Sequence, residues 1–158
     1  MRGSVLRSVL LSLPLLCVAP LELSAWFQAA CQGNLALLDS TLADPALAQH
    51  IDEPSVSGHT ALLYAVIHGR YETARYLLTR GADPAAVVYN GNSALHLVSD
   101  LADDAQMARL LIAAGAPLSP TNRMFDSGAG SGKTPLELAE LTGRTGVAGA
   151  IRQALEGG

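Results

Sequence analysis

The sequence predicts an all-α solenoid of about four helix-turn-helix units joined by hairpin loops. Three observations predict it. Apolar residues recur at helical spacing along most of the chain, a glycine-led octapeptide appears three times, and a second glycine-marked segment recurs between its copies. The composition agrees. With 158 residues, 49% hydrophobic and 15% charged, the chain is too apolar for disorder and long enough for one core or a short repeat array. The net charge is −4, and Lys133 is the only lysine. That balance argues against a nucleic-acid partner, which requires clustered cations to displace counterions. An aromatic share of 4% argues against an extended stacking surface.

Residues 1–25 read as a leader rather than as part of the solenoid. Arg2 and Arg7 precede an apolar run of 14 residues, Ser8 to Leu21, which is short for a membrane span of about 20 residues but suits a secretory signal. Leu23-Ser24-Ala25 places small residues before the expected cut near Ala25, so the mature chain is expected in the periplasm or outside the cell, with no membrane span. A lipid anchor is not expected, since Leu16 stands where a small residue normally precedes a lipidated cysteine. Cys17 leaves with the leader. Cys31 then has no partner for an internal disulfide and reads as a small apolar helix residue.

The units follow at about 26–55, 56–87, 88–129 and 130–155. In the first, Trp26 to Gly33 reads as a short helix closed by a glycine turn, Leu35 to Leu42 as its second helix, and Asp44-Pro45 as the next turn. The second unit opens on Gly58-His59-Thr60-Ala61-Leu62-Leu63-Tyr64-Ala65, the third on Gly91-Asn92-Ser93-Ala94-Leu95-His96-Leu97-Val98, and the fourth on Gly132-Lys133-Thr134-Pro135-Leu136-Glu137-Leu138-Ala139. Thr60, Ser93 and Thr134 are hydroxyl N-caps, and Pro135 occupies the first helical position, where its missing N–H is harmless. Leu62, Ala65 and Val66 share one face, as do Leu95, Val98 and Ser99. Gly69 and Gly143 end first helices. Ala74, Leu77 and Leu78 point inward from a second helix that Gly81 ends, and Gly115 does the same in the next unit. Gly146 to Leu155 closes the array.

The leading glycines recur after 33 residues and then after 41. The excess is expected in the hairpin Leu118 to Ser131, as a mobile, exposed insertion carrying Met124 and Phe125. A further departure is Ala102-Asp103-Asp104, where the first-helix glycine is missing and one residue is added. These paired segments, with Tyr76 to Pro84 matching Leu110 to Pro117, resemble the ankyrin family, whose unit is about 33 residues with a T-P-L-H-x-A signature. The resemblance covers essentially everything after the leader. It implies stacked helix pairs, with His96 in the slot where a histidine packs and hydrogen-bonds between units.

No motif points to catalysis, a metal or a cofactor. Ser127 to Thr134 mimics a phosphate-binding loop, but Gly128 is one residue too close to Gly132-Lys133 and no apolar strand precedes it. His50, His59 and His68 lie nine apart, a spacing that places no two of them on one helix face as ligands. Asp52-Glu53 and Asp103-Asp104 read as solvated turns without a catalytic partner, the second with an aspartate placed to cap the next helix.

The resemblance implies a non-enzymatic module that presents hairpin tips and first helices to another protein, with the chain expected to be a monomer. Its contact positions fall on Val56, Ser57, His59, Ile67 and His68, on Tyr89, Asn90, Asn92, Asp100 and Leu101, and on Lys133 and Leu141. Met124 and Phe125 add two apolar side chains from the long hairpin. Exported bacterial proteins of this kind imply a place in stress defence. The alternatives are an immunity-type inhibitor of a toxic enzyme or, from a different class, a nucleotide-dependent enzyme using residues 127–134.

Overall fold

The computed structural model describes residues 19–122 and 132–157. Nine helices are described: α1 (Ala19–Gln32), α2 (Leu35–Leu42), α3 (Pro45–Ala48), α4 (Ala61–Ile67), α5 (Tyr71–Thr79), α6 (Ala94–Leu101), α7 (Ala105–Ala113), α8 (Pro135–Leu141) and α9 (Thr145–Glu156). The expected cut near Ala25 falls within α1, and most of the expected leader lies outside the described residues. No described helix is long and apolar enough to cross a membrane. Among the described residues the extended structure is limited to one isolated bridge, Val87 to Ser93.

The helices form four pairs, α1/α2, α4/α5, α6/α7 and α8/α9, with α3 as a single extra turn. Asp44 caps α3 through the Ala46 N–H at 2.9 Å, and Pro45 starts it, so a segment expected only as a turn closes one helical turn. The first helices α1, α4, α6 and α8 pack side by side in chain order, and α7 packs on α9. Alanines make that approach close: Ala29, Ala61, Ala65, Ala94 and Ala139 are fully buried at these contacts. Leu62, Leu63, Leu77, Leu95, Met107, Leu111 and Ile151 fill the space between first and second helices. Leu78, expected inward, is half-buried at the edge of this core.

Local chemistry sets the helix ends. Thr60 and Thr134 accept from the N–H of Leu63 and Glu137, and Glu137 returns a carboxylate to the Thr134 N–H at 2.8 Å. These donors hold the Glu137 carboxyl below its usual range. Gly33, Gly69 and Gly143 turn the chain at φ of 77°, 63° and 72°. The third unit has no such glycine. There Ala102 leaves the helix in extended geometry, with φ −148° and ψ 147°, and the added Asp103 makes up the path to α7.

Three hairpins link the units, closed by Ser55 N–H to His59 C=O at 2.9 Å, Val88 N–H to Asn92 C=O at 3.0 Å, and Asn122 N–H to Lys133 C=O at 3.0 Å. The first two closures bridge four residues and the third bridges eleven. The long hairpin therefore carries seven extra residues, and Asp103 accounts for the eighth in the longer repeat interval. The expectation that Leu118 to Ser131 is exposed throughout is corrected at its start, where Leu118 is half-buried against the core and Asn122 is 2% exposed.

Candidate functional site

The hairpin tips and the exposed ends of the first helices make the surface to which the expected contact residues belong. At the first tip Val56 is fully exposed. Beside it the Tyr64 hydroxyl lies 2.9 Å from Ser57 Oγ and 3.2 Å from Ser55 Oγ, and Ser57 Oγ lies 3.0 Å from His59 Nδ1. The Tyr64 ring is also held between Phe27 and His59, with centroids 5.4 and 5.3 Å away. Ser57 and His59 thus belong to a cross-linked hairpin tip rather than standing free.

At the second tip Tyr89 is 70% exposed. One face of its ring lies against Gly58, where a Cβ would come within 2.8 Å of the ring. Asn90 folds back on its own turn, its side chain accepting from the Asn92 N–H at 3.0 Å. Asn92 is a correction. Expected on the contact surface, it is 8% exposed and its side-chain oxygen accepts from Asn122 Nδ2 at 2.8 Å. A hairpin asparagine and a contact asparagine look alike in sequence, and only the length of the next hairpin brings Asn122 onto it.

Along the helix ends Ile67 is half-buried, His68 and Asp100 are exposed, and Leu101 and Leu141 are 51% and 55% exposed. Lys133 is half-buried, and its main chain is fully engaged. Its N–H donates to the Asn122 side chain at 2.9 Å, and its carbonyl accepts from the Asn122 N–H and from His96 Nε2 at 3.0 Å. Met124 and Phe125, with Ser127 to Ser131, lie outside the described residues.

His96 is fully buried, and its partners assign its tautomer. A carbonyl can only accept, so Nε2 carries the proton, while Nδ1 accepts from the Ser93 N–H at 3.1 Å and lies 2.8 Å from Ser93 Oγ. Burial lowers its pKa, against the opposing effect of the backbone carbonyls of Lys133 and Pro120. Cys31, half-buried near the end of α1, has its thiol pushed up chiefly by burial.

A second set of polar contacts, which sequence reasoning missed, joins one unit to the next. Arg70 Nε donates to the Cys31 carbonyl at 2.8 Å, and Arg144 Nη2 donates to the Asp100 carbonyl at 3.3 Å. The recurring dipeptide Gly69-Arg70 and Gly143-Arg144 is the signal that would have found them. The acidic turns are corrected at Asp52 and Asp103, whereas an aspartate caps the next helix as the longer acidic turn suggests. Asp52 accepts from the Asp83 N–H at 2.8 Å, Asp103 from the Val147 N–H at 3.0 Å, and Asp104 caps α7 through the Met107 N–H at 2.9 Å. On second helices, Asp39 accepts from both the Tyr76 hydroxyl and Arg80 at 2.6 Å.

The family model for ankyrin repeats (many copies) matches residues 62–112. Protein PhlB of Serratia liquefaciens is 45% identical over 85 residues, 54% of this chain and 34% of PhlB. Ankyrin repeat and SAM domain-containing protein 6 of Mus musculus is 40% identical over 87 residues, 52% of this chain and 9% of that protein. Protein fem-1 homolog A-like of Mus musculus is 34% identical over 90 residues, 57% of this chain and 12% of that protein. The matched segments thus span about a third of PhlB and about a tenth of the other two. Helix pairs, hairpins and comparisons agree that the chain carries ankyrin repeats, matched by the family model over residues 62–112. Repeats of this kind make a protein-binding module.

Proposed function

We propose that this chain is a non-enzymatic binding module, exported after removal of its leader, that presents the hairpin tips and first-helix ends to one partner protein. The observation that carries this reading is the row of large apolar side chains left exposed on that surface: Val56, Val87, Tyr89, Leu101 and Leu141. They come from three successive units, and burying one such side chain at a partner contributes about 1.5–3 kcal/mol. A periplasmic location follows from the leader pattern and is tested by mass measurement of the mature protein. Stress defence and inhibition of a toxic enzyme are two settings for the same surface, separated by the identity of the partner.

The nucleotide-dependent alternative loses support at its most important atoms. A phosphate loop needs free backbone N–H groups and a free hydroxyl. The Lys133 N–H is bound to Asn122, and the Thr134 hydroxyl is committed to the capping box. For the binding reading, partners captured from periplasmic extract are compared on the natural chain and on Leu101→Glu with Leu141→Glu. Loss of one discrete partner at unchanged melting temperature supports the surface. Equal capture by both chains rejects it.

A further inference from the structure

The arginines of the described structure are largely engaged away from the contact surface. Arg75 pairs with Glu72 at 2.5 Å, Arg80 with Asp39 at 2.6 Å and Arg152 with Glu140 at 2.5 Å, while Arg70 and Arg144 tie one unit to the preceding one. On the hairpins and first-helix ends, Asp52, Glu53, Asp83 and Asp100 are exposed. Among the described residues, the same elements carry Lys133 and the imidazoles of His50, His59 and His68, with His50 Nδ1 lying 3.5 Å from the Glu53 carboxylate. The binding surface is therefore both apolar and negative.

The negative character is sharpest at one step of the stack. The residues before the four second helices share one backbone conformation: φ/ψ is −81°/83° at Asn34, −87°/74° at Arg70, −94°/82° at Asp104 and −81°/74° at Arg144. From this position Arg70 reaches the C-terminal end of α1, and Arg144 reaches that of α6. Each thereby places a cation at the negative end of a helix dipole. In the third unit Asp104 stands there instead and turns its carboxylate to α7. The C-terminal end of α4 thus lacks the guanidinium that its neighbours receive. It lies between exposed His68 and the exposed Asp100 and Leu101 of α6, with half-buried Ile67 at its last position.

We propose that the surface docks a basic protein segment, one of whose arginine or lysine side chains takes the place missing from the arginine ladder at the end of α4. An apolar neighbour in that segment rests on Ile67 and Leu101. This rests on the binding surface proposed above and adds the chemistry of its occupant. Opposite charge speeds encounter, and the apolar flanks hold the complex.

The test uses the purified mature protein and two synthetic peptides, one alternating arginine with leucine and one alternating glutamate with leucine. Binding is followed through backbone amide shifts. The arginine peptide should move the amides of Ile67, His68 and Leu101 and bind at least fivefold more weakly when salt rises from low to moderate ionic strength. The glutamate peptide should leave these amides unmoved. Asp104→Arg refills the ladder from within and should weaken the arginine peptide at least tenfold. Asp100→Lys, which disturbs no helix cap, should do so at least fivefold. Equal binding of both peptides, or undiminished binding by Asp100→Lys, overturns the proposal. If Leu101→Glu with Leu141→Glu loses the natural partner while Asp100→Lys keeps it, the surface stands and its basic occupant is rejected. If neither change affects the natural partner, both readings fall.

Discussion

His96 and Asn122 are the two buried polar side chains on which the third and fourth units join. Protonation of His96 would remove the acceptor that Nδ1 offers the Ser93 N–H, so the neutral ring is the one the fold holds. Its folded pKa is depressed, so its contribution is fully present above the unfolded value of about 6.5 and is lost as pH falls toward the folded value. Urea unfolding between pH 7.5 and 5 should show the midpoint falling, and His96→Gln should flatten that slope. A slope unchanged by the substitution would mean that other groups set it. Asn122→Ala leaves the Lys133 N–H and the Asn92 side chain short of a partner and should cost about 1–3 kcal/mol. Its mark is faster amide exchange at Lys133 than at Asn92, whose N–H still has Asn90.

Hairpins and helix ends respond to substitution according to what surrounds them. Gly58 and Gly81 both have positive φ, at 78° and 95°. An added methyl at Gly58 meets the Tyr89 ring, whereas at Gly81 it meets nothing within 4 Å. Gly81→Ala should therefore cost about 1 kcal/mol for backbone strain alone. Gly58→Ala should cost more and change the fluorescence of Tyr89, and equal costs would show that the ring swings away freely. Thr134→Ala removes the N-cap of α8 and should cost about 1 kcal/mol in thermal unfolding. The Arg80–Asp39 pair is half-exposed, and its removal should matter by no more than about 1 kcal/mol.

The whole molecule is a linear stack, in which each helix pair is buried mainly by its neighbours. Leu95→Ala in the middle of the row opens a cavity against both sides and should lower the single unfolding transition by about 2–5 kcal/mol. Ile151→Ala removes an equally buried side chain from the last helix. Amide exchange should then show α8 and α9 opening first while α4 to α7 keep their protection. Uniform loss of protection in both variants would mean that the array unfolds as one unit with no fraying end.

Much of this molecule is local in origin and was therefore legible residue by residue. Apolar spacing, hydroxyl caps at Thr60 and Thr134, and glycines at 33, 69 and 143 place the first helices and their turns, because a cap or a left-handed glycine acts within one helical turn. The bounds Leu35–Leu42 could be read in the same way. The contact surface was legible only in outline. Tyr89, Leu101 and Leu141 are exposed where the repeat pattern puts them, whereas Asn92 is drawn inward by Asn122, 30 residues away. Asp52 and Asp103 read as solvated charges, and nothing local marks Arg70 and Arg144, since the N–H and C=O groups they bind belong to neighbouring units, 31 to 44 residues distant. Local sequence decides whether a backbone group needs a partner at a helix end. Which distant side chain supplies that partner, and so which polar residues remain free for another protein, depends on stacking the units in space.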